Sequence, residues 1–491
     1  MLRPWKIVLG GRIDASRSMP IYLQIVHAFI HEIERGRLPS GAFLPSSREL
    51  AKLLGVNRKT VVLAYEDLIA QGWLVSNGTR GTMVSGTLPD RPPVAPRGGG
   101  NVGDERRDAP AFRFQPPPKR PLALPAGAGV KLDEGSPDGR IFPAEILTQA
   151  YRTAIRRAAR DNRLLYRDPR GAPRLRESIA TMLKAERGLA VTADNICITR
   201  GSQNGIFLAV RTLIAPGDVA LVEALTYEPA VAAFQACGAK VVPVRIDEQG
   251  IDVEDVERQC RAHRVRAIFL TPHHQFPTTV SLRPERRLRL LALARQFNFA
   301  IIEDDYDHEF HFESQPLLPM ASYAPDRVVY VGSLSKLMLP ALRIGYVAAP
   351  EPLIDALAHG VSLIDGMGNT LTEEAAAELI DDGELRRHTR KVTHIYAQRR
   401  LAFAEALRAE LDGIAEFRVP GGGLAFWLRF PDVRLLDRIE ARAPLLGVRF
   451  ADSRSFRVGE AGERGLRLGF ASLREEEARA ALAKVGRAAR E

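Results

Sequence analysis

Residues 328–347 of the chain are VVYVGSLSKLMLPALRIGYV. This pattern predicts a buried strand, a loop of small residues that carries Ser333, Ser335 and Lys336, and a second strand entered through Arg343. A lysine at a strand end can form a Schiff base with an aldehyde cofactor, while hydroxyls, backbone N–H groups and a guanidinium hold its phosphate. Partial desolvation suits lysine to this role because it lowers the pKa of the amine. An exposed loop lysine between two strands would explain the same letters, so the neighbouring segments decide between the two interpretations.

The overall composition is that of an ordinary soluble protein. The chain has 491 residues, of which 45% are hydrophobic and 26% charged, and this length is enough for two or three domains. No apolar run approaches the roughly 18 residues that span a membrane, and the N-terminus lacks the apolar centre of a signal peptide. The cysteines Cys197, Cys237 and Cys260 match no metal-binding pattern. We therefore expect a cytoplasmic protein with reduced thiols and no metal site.

The positive charge is concentrated towards the N-terminus. The formal net charge is +10, and Lys and Arg outnumber Asp and Glu by 11 to 6 in residues 1–87 and by 7 to 4 in residues 88–130. The remaining three-quarters of the chain is nearly balanced. This distribution favours a polyanionic partner for the N-terminal end.

The N-terminal segment predicts three helices. Residues 21–36 place apolar side chains on one helical face. Ser46 and Glu49 have the spacing of a capping box ahead of a short amphipathic helix. Gly55 then turns the chain, and Asn57 caps a third helix. Two helices joined by a tight turn that contains glycine predict a helix-turn-helix.

The following segment, residues 72–86, predicts a wing of two strands joined at Asn77 and Gly78. In a winged helix-turn-helix the N-terminal end of the second helix enters the major groove, and nearby polar groups hold phosphates. The candidate DNA contacts are Ser46, Ser47, Arg48, Asn57, Arg58, Lys59, Thr60 and Arg80. The alternative is that Ser46 and Asn57 only cap helices and that the charged side chains are only solvated.

The N-terminal segment is also similar to a known family. Residues 19–85, which include LPSSRELAKLLGVNRKTVVLAYEDLIAQGWL, resemble the DNA-binding domain of the GntR family of bacterial repressors. The resemblance implies binding to double-stranded DNA, and a two-fold protein would match paired half-sites.

A change of composition separates the two ends of the chain. Residues 88–130 contain 10 prolines and 6 glycines without an apolar period, which is typical of a linker. We therefore predict a DNA-binding domain over residues 1–87, a linker over 88–130 and an effector domain over 131–491. Such a tether would let the two ends move independently.

Strand and helix patterns alternate beyond the linker. The strand-like segments NICITRG, VALVEAL, AKVVPVR, RAIFLTP, FAIIEDDY and DRVVYVG are separated by amphipathic segments of helical length. This alternation predicts an α/β domain with a mainly parallel sheet and helices on both faces. Ligands of such sheets bind beyond the carboxyl ends of the strands, where the polar motifs of this chain cluster.

Four features near those strand ends are candidates for the site around the lysine. Residues 201–203 form a strand-to-helix turn that suits a phosphate, although such turns often only cap a helix. The acidic residues in 299–307 repel one another, and this repulsion must be offset by a cation, by a pyridinium nitrogen or by full solvation. Tyr227 has the position to stack on a ring or to pack in the core. Arg467 lies between apolar strand residues and needs a carboxylate partner from a ligand or from the protein.

Together these motifs resemble fold-type I pyridoxal-phosphate enzymes of the aspartate aminotransferase superfamily. The likeness covers the chain from about residue 132 to the C-terminus and includes EGSPDGRIFP, LLYRDPRGAPRLRESIA, ITRGSQNGI, TPHHQFPT, IIEDDYDHEF, GSLSKLMLPALRIGY and GLRLGFA. A GntR-like domain joined through a long linker to an aminotransferase-like domain is similar to the layout of the MocR/PdxR regulators.

The resemblance implies a role for individual residues. Lys336 would hold pyridoxal 5'-phosphate as an internal aldimine, Asp304 would face the pyridine nitrogen, Tyr306 the phenolic oxygen, and Tyr227 would stack on the ring. Arg467 would bind the carboxylate of an effector. The phosphate would be held by Ser202, Gln203, Ser333, Ser335 and Arg343, with Tyr166 reaching it from the neighbouring subunit.

One segment departs from the aminotransferase pattern. Residues 276–279 are Phe-Pro-Thr-Thr, where aminotransferases usually have Asn-Pro-Thr-Gly. MocR-type proteins share the phenylalanine but usually have a glycine or small residue at the position of Thr279. The missing asparagine leaves aldimine formation possible and disfavours efficient turnover.

Three functions are compatible with this organisation. The first is a transcription regulator that senses pyridoxal phosphate, or an amine or amino acid, through an aldimine at Lys336. The second is a working aminotransferase that carries a DNA-binding domain for autoregulation, and the third is a metabolic enzyme with an N-terminal interaction domain. The DNA-binding pattern and the missing asparagine favour the regulator. We expect a homodimer because fold-type I sites are built at a subunit boundary.

Overall fold

A computed structural model describes residues 13–14, 16–88, 112–113, 129–313, 315–460 and 463–491. The chain divides into two compact units, Met1–Gln115 and Pro116–Glu491. The division falls inside the segment predicted as a linker, most of which lies outside the described residues. The boundaries of the three predicted segments therefore stay predictions.

The N-terminal unit is built on the three predicted helices. They are α1 (Ile21–Glu34), α2 (Ser47–Leu54) and α3 (Arg58–Ala70). Phe29, Leu50 and Leu68 are fully buried between them, because each helix turns its apolar face inward. Gly55 ends α2 in the left-handed conformation, which allows the tight turn into α3.

A short hairpin completes this unit. Strands β1 (Leu74–Ser76) and β2 (Thr82–Val84) pair antiparallel, with Leu74 opposite Val84. The connection is longer than the two-residue Asn-Gly turn of the sequence pattern, because residues 78–80 form a 3₁₀ turn. The predicted wing is therefore present, with a broader tip.

The second unit contains the remaining helices and strands. In chain order they are β3 (Val130–Lys131), α4 (Ala144–Arg160), α5 (Pro173–Arg187), β4 (Ile196–Thr199), α6 (Ser202–Leu213), β5 (Val219–Glu223), α7 (Glu228–Ala236), β6 (Lys240–Val244), β7 (Ile246–Asp247), β8 (Gly250–Ile251), α8 (Val253–Ala262), β9 (Val265–Leu270), α9 (Pro284–Phe297), β10 (Ala300–Asp305), β11 (Val328–Ser333), β12 (Gly345–Ala348), α10 (Glu351–Asp365), α11 (Thr370–Asp381), α12 (Glu384–Leu411), β13 (Glu416–Phe417), β14 (Ala425–Arg429), α13 (Val433–Arg442), β15 (Val448–Arg449), β16 (Gly465–Gly469) and α14 (Glu475–Arg490).

A seven-stranded sheet organises this unit. Its order is β4-β12-β11-β10-β9-β5-β6, with β12 antiparallel to both of its neighbours and the other pairs parallel. Alternate residues face opposite cores: Phe269 and Ile302 pack with α6, α7 and α10, while Ile268 and Ile301 join the larger core with α5, α8 and α9. The mainly parallel sheet covered on both faces confirms the predicted fold class.

A smaller antiparallel sheet, β13-β14-β16, follows towards the C-terminus. Its register places Arg467 of β16 opposite Trp427 of β14. The short strand β3 pairs with β15, so the first described segment of this unit packs beside its C-terminal part. None of the helices in the described ranges is long and apolar enough to cross a membrane.

Candidate functional site

Lys336 lies in the loop that leaves the carboxyl end of β11. Its Nζ donates a hydrogen bond to the carbonyl oxygen of Gly135 at 2.6 Å. Desolvation by burial lowers the pKa of the amine, against the opposing effect of the acids Asp133 and Asp307. A lysine held in this way is more nucleophilic at neutral pH than a solvated one.

Asp304 lies near the end of β10, beside β11. Burial raises the pKa of its carboxyl group to about 8, and repulsion from Asp305 and Asp307 acts in the same direction, while Lys336 opposes it. Within the described ranges, its Oδ1 is buried and has no hydrogen-bond partner. A buried carboxylate oxygen without a partner is costly unless a ligand supplies a donor.

Tyr306 and Arg467 meet close to Lys336 and Asp304, and these four residues define the pocket of this unit. The Tyr306 hydroxyl donates to the carbonyl oxygen of His274 at 2.9 Å and accepts a bond from Arg467 Nη2 at 3.2 Å. The same guanidinium donates to the carbonyls of Glu134, at 2.9 Å, and Pro277, at 2.8 Å. Among the residues that the structure describes, carbonyl and hydroxyl oxygens rather than a carboxylate therefore hold the buried arginine.

An aromatic cluster surrounds that guanidinium. Its central carbon lies 4.7 Å from the centre of the Phe276 ring. Tyr227, the residue before α7, packs edge-on against Phe276 with ring centres 5.3 Å apart and an interplanar angle of 80°. Burial raises the pKa of the Tyr227 phenol to about 12, so the ring is neutral at physiological pH.

The candidate phosphate residues are brought together by strand register. Ser333 of β11 lies opposite Gly345 of β12, and Gly345 lies opposite Thr199 of β4. A Cβ at Gly345 would lie 2.5 Å from the carbonyl carbon of Gly201, so the three chain segments approach too closely for a side chain. Gly345, the strand partner of Ser333, therefore lies against the first residue of α6, Ser202.

The other phosphate candidates are held by hydrogen bonds within the protein. The backbone N–H of Ser335 donates to Ser333 Oγ at 3.1 Å. Arg343, in the left-handed conformation with φ of 53°, donates to the carbonyl of Arg200 at 2.8 Å. Gln203 Nε2 donates to the carbonyl of Pro229 at 2.9 Å.

Tyr166 stands apart from this group. It lies in the loop between α4 and α5 and is 89% exposed. No contact joins it to the pocket of its own chain in the described structure, so any role there requires a second subunit.

The candidate DNA contacts lie at the starts of α2 and α3 and on the wing. Ser46 and Glu49 form the predicted capping box, and Asn57 accepts a bond from the Lys59 N–H at 2.9 Å. Arg58 Nε donates to Ser47 Oγ at 3.4 Å, which joins the two helix starts. Arg48, Arg58, Lys59 and Arg80 are exposed, and Thr60 is half-buried.

Several residues of the pocket are absent from the sequence-based predictions. The Gly135 carbonyl and the Glu134 carbonyl hold Lys336 and Arg467 across 201 and 333 residues of chain. In the sequence, these two residues are indicated only by the segment EGSPDGRIFP, which resembles the aminotransferase pattern. His273, Asp305 and His308 form a second polar cluster on the other face of β10. The sequence did not predict this cluster, because histidines that are far apart in the chain match no specific motif.

Both units match known protein families. Residues 129–487 match "Aminotransferase class I and II", and residues 21–84 match "Bacterial regulatory proteins, gntR family". Among solved structures, kynurenine aminotransferase from Pyrococcus horikoshii, in complex with PMP, aligns with a TM-score of 0.69 and 27% identity over 74% of this chain and 91% of that one. The α-aminoadipate aminotransferase LysN of Thermus thermophilus, complexed with N-(5'-phosphopyridoxyl)-L-leucine, gives 0.68 and 26% over 74% and 92%.

Curated relatives span both units. The probable rhizopine catabolism regulatory protein MocR of Rhizobium meliloti is 30% identical over 94% of this chain and 92% of its own length. The pyridoxine biosynthesis transcriptional regulator PdxR of Corynebacterium glutamicum is 31% identical over 92% of both chains, and TauR of Rhodobacter capsulatus 31% over 93% of both. This chain therefore belongs to the MocR/PdxR-type regulators, in which a GntR-type DNA-binding domain is fused to an aminotransferase class I and II domain.

Proposed function

We propose that this regulator responds to pyridoxal phosphate, or to an amine or amino acid that reacts with it, bound at Lys336. The observation that carries the proposal is the pairing of a desolvated lysine with an unpartnered, buried Asp304 oxygen in one pocket. The pocket belongs to the same chain as a GntR-type domain, so ligand binding and DNA binding have a physical connection. Coupling requires that the ligand prefer one of two states of the chain.

The residues of the pocket fit pyridoxal phosphate. Asp304 Oδ1 lacks a donor that a pyridinium nitrogen provides, and Tyr306 offers a phenol for the phenolic oxygen. The glycines at 201 and 345 let the phosphate candidates converge at the N-terminus of α6, where backbone N–H groups favour anions. When bound, the cofactor supplies an aldehyde that condenses reversibly with amines.

The phosphate would be held by the candidates that the strand register gathers. We assign this role to Ser202, Gln203, Ser333, Ser335 and Arg343, with Tyr227 covering the ring of the cofactor. Arg467 has five N–H donors, and the protein uses each of its three nitrogens for one bond. The remaining donors suit the carboxylate of an amino-acid effector.

The segment after β9 supports sensing rather than turnover. Phe276 takes the position of the usual asparagine, and its ring packs under the Arg467 guanidinium. Thr279 adopts φ of 65°, a region that favours glycine and is unusual for a β-branched residue. A pocket with these changes can still hold the cofactor, but Tyr306 is left without the asparagine side chain that aminotransferases usually add beside the phenolic oxygen.

A homodimer completes the proposal. Leu164, Leu165 and Tyr166 are exposed in one loop, and Leu363 and Ile364 are exposed on α10. The Arg167 N–H contacts Met367 Sδ at 3.1 Å, so these two exposed apolar segments are neighbours. Exposed apolar patches of this kind are typical of interfaces. Sedimentation of the purified chain should give a dimer that Leu165→Asp weakens, and a wild-type monomer would contradict the assignment.

The DNA-binding unit would then bind paired half-sites. We assign base and phosphate contacts to Asn57, Arg58, Lys59 and Thr60 at the start of α3, and phosphate contacts to the start of α2 and the wing. The exposure of the charged members and the Arg58–Ser47 contact support a single positively charged edge.

A working aminotransferase is the second candidate. It is favoured by the similarity to two aminotransferases and by the desolvated Lys336. It predicts rapid multiple turnover with an amino acid and a keto acid, whereas a sensor predicts at most slow single turnovers.

Footprinting tests the proposed function directly. The full chain is bound to the DNA upstream of its own gene, with and without pyridoxal phosphate, using wild type, Lys336→Ala and the exposed control Lys484→Ala. We expect paired half-sites whose protection changes with the cofactor in wild type and Lys484→Ala but not in Lys336→Ala. Protection that is identical with and without the cofactor would contradict sensing. The absence of any protection at moderate salt would favour the aminotransferase function instead.

A further inference from the structure

Three buried polar side chains meet on the face of β10 opposite the pocket. His273 Nδ1 lies 3.3 Å from Asp305 Oδ1, and His308 Nδ1 lies 3.0 Å from Asp305 Oδ2. All three residues are at most 4% exposed, and one ligand atom from each lies within 4.8 Å of the others. They belong to a single compact unit and to none of the roles assigned above.

The hydrogen bond of His273 decides which of its nitrogens is available. Nε2 lies 2.5 Å from the carbonyl oxygen of Leu317, which only accepts, so Nε2 carries the proton. In the neutral ring Nδ1 then holds a lone pair that faces a carboxylate oxygen. Two lone pairs at this distance repel, so a positive charge must lie between them, either a proton or a metal ion.

His308 gives an independent indication. Its two ring nitrogens are buried, and neither makes a hydrogen bond to any residue that the structure describes. The contact of Nδ1 with Asp305 lacks hydrogen-bond geometry although the atoms are 3.0 Å apart. Burying unpaired polar atoms is unfavourable, so this group is expected to have an ion or a water as its partner.

We propose that His273, Asp305 and His308 bind a divalent transition-metal ion, with Zn²⁺ as the best match. Two imidazoles and one carboxylate are typical zinc ligands, whereas Mg²⁺ and Ca²⁺ prefer oxygen ligands alone. Bonds of about 2.0–2.1 Å in a tetrahedron separate neighbouring ligand atoms by about 3.3–3.4 Å. His273 faces Oδ1 of Asp305 at 3.3 Å and His308 faces Oδ2 at 3.0 Å. One ligand atom from each residue lies within 4.8 Å of the others, so binding requires a small movement of the side chains to reach the tetrahedral spacing.

Neighbouring residues make hydrogen bonds that orient the proposed ligands, as is usual around protein metal sites. The Leu317 carbonyl orients His273, and the Tyr330 hydroxyl donates to Asp305 Oδ2 at 2.6 Å. A cavity of about 1160 Å³ is lined by His308, His311 and other residues and gives a route for ion and water. A fourth, exchangeable ligand can enter from there.

Other charges near the cluster are already compensated. Arg187 Nε lies 3.9 Å from Asp305 Oδ2, but the same guanidinium pairs with Glu309. Glu303 accepts bonds from the backbone N–H groups of Met320 and Ala321, at 3.0 Å each. Asp307 pairs with His274 at 2.8 Å. Among the described residues, Asp305 Oδ1 therefore has His273 as its neighbour at 3.3 Å and no hydrogen-bond partner, while Oδ2 is shared between His308 and the Tyr330 hydroxyl.

Metal analysis of the full chain tests the proposal. The protein is purified without a histidine tag, dialysed against chelator, and equilibrated with micromolar Zn²⁺ before elemental analysis. We expect about one zinc per chain in wild type. The double variant His273→Ala/His308→Ala should lose it, with affinity lowered by about 100-fold or more, while the exposed control His263→Ala keeps it. A wild-type chain that binds no more zinc than the double variant would overturn the site.

A more conservative variant distinguishes loss of the metal site from loss of the fold. His308→Gln keeps a polar side chain of similar size, and its fold can be checked by circular dichroism. Co²⁺ added to chelator-treated wild type should give the intense visible absorption of a tetrahedral site, and Zn²⁺ should raise the melting temperature. Both effects should be absent in folded His308→Gln. If wild type shows neither effect, the cluster is a protonated imidazole–carboxylate group and the metal site is refuted.

Discussion

The DNA-binding unit and the cofactor pocket are built in opposite ways. In the N-terminal unit, Ser46 and Asn57 cap helices by accepting hydrogen bonds from the N–H groups of Glu49 and Lys59, so neighbours in sequence position the polar groups. In the pocket, Lys336 is held by a residue 201 positions away, and its neighbours meet only through strand register. Local structure thus makes one site, and global packing makes the other.

The difference extends to burial. The charged candidates of the DNA-binding unit are exposed, whereas the second unit buries carboxyl groups beneath its sheet. We therefore expect substitutions in the second unit to have large, pH-dependent effects on stability and those in the first unit to have small ones.

The largest effect is expected at Glu223, at the end of β5. Burial raises the pKa of its carboxyl group to about 8. Because the folded pKa lies above the unfolded value, the folded state binds more protons and loses stability as pH rises from about 4.5 to 8. Glu223→Gln should remove this loss and raise the free energy of unfolding at pH 8 by about 4 kcal/mol. Urea unfolding at pH 6 and 8 measures it.

The exposed Glu285→Gln is the matched control for that experiment. It should leave the free energy of unfolding and its pH dependence unchanged. A wild-type stability that is flat between pH 6 and 8 would mean that Glu223 is not buried as an acid.

The second largest effect is expected at Gly345, at the start of β12. A Cβ there would lie 2.7 Å from the backbone nitrogen of Ser202 as well as against Gly201, and backbone atoms cannot move aside cheaply. Gly345→Ala should lower the free energy of unfolding of the second unit by about 3 kcal/mol and weaken cofactor binding. Gly139→Ala is the control, because its Cβ meets only a Leu339 side chain at 3.4 Å. Equal stability of the two variants would show that the sheet tolerates wider spacing.

A smaller effect is expected in the DNA-binding unit. Ser46→Ala removes the side-chain oxygen that caps α2 and should cost about 1 kcal/mol, confined to this unit. Thermal unfolding should show one shifted transition, and Ser46→Asp should restore it. A shift in the transition of the second unit would contradict the local character of this cap.

The smallest effect is expected at Thr279. Its φ of 65° strains a β-branched residue, so Thr279→Gly should raise the free energy of unfolding by about 0.5–1 kcal/mol. The gain is limited because glycine also loses more chain entropy on folding. Urea unfolding checks it, with Thr278→Gly as a control that should destabilise, since Thr278 Oγ1 donates to Gln275 at 2.6 Å.

The features that could be predicted from the sequence are those that short sequence patterns determine. The helices around Gly55, the wing, and the strand that leads to Lys336 follow from caps, turns and periodicity, and the structure has them. The sequence did not predict that β12 runs antiparallel, or that Gly135 holds the lysine, because register and long-range contacts leave no local pattern. The histidine pair was missed for the same reason, since 35 residues separate His273 from His308.

The alternation of β10 has an evolutionary consequence. Asp304 and Asp305 are adjacent in sequence but face opposite sides of the sheet, one towards Lys336 and the other towards the histidines. Because side chains alternate with a period of two, inserting or deleting one residue in this strand would exchange the two acids. The insertion or deletion of a single residue would thus disrupt the sites on both faces of the strand at once, whereas a substitution can change one site and leave the other intact. We therefore expect this strand to keep a constant length where both faces are retained.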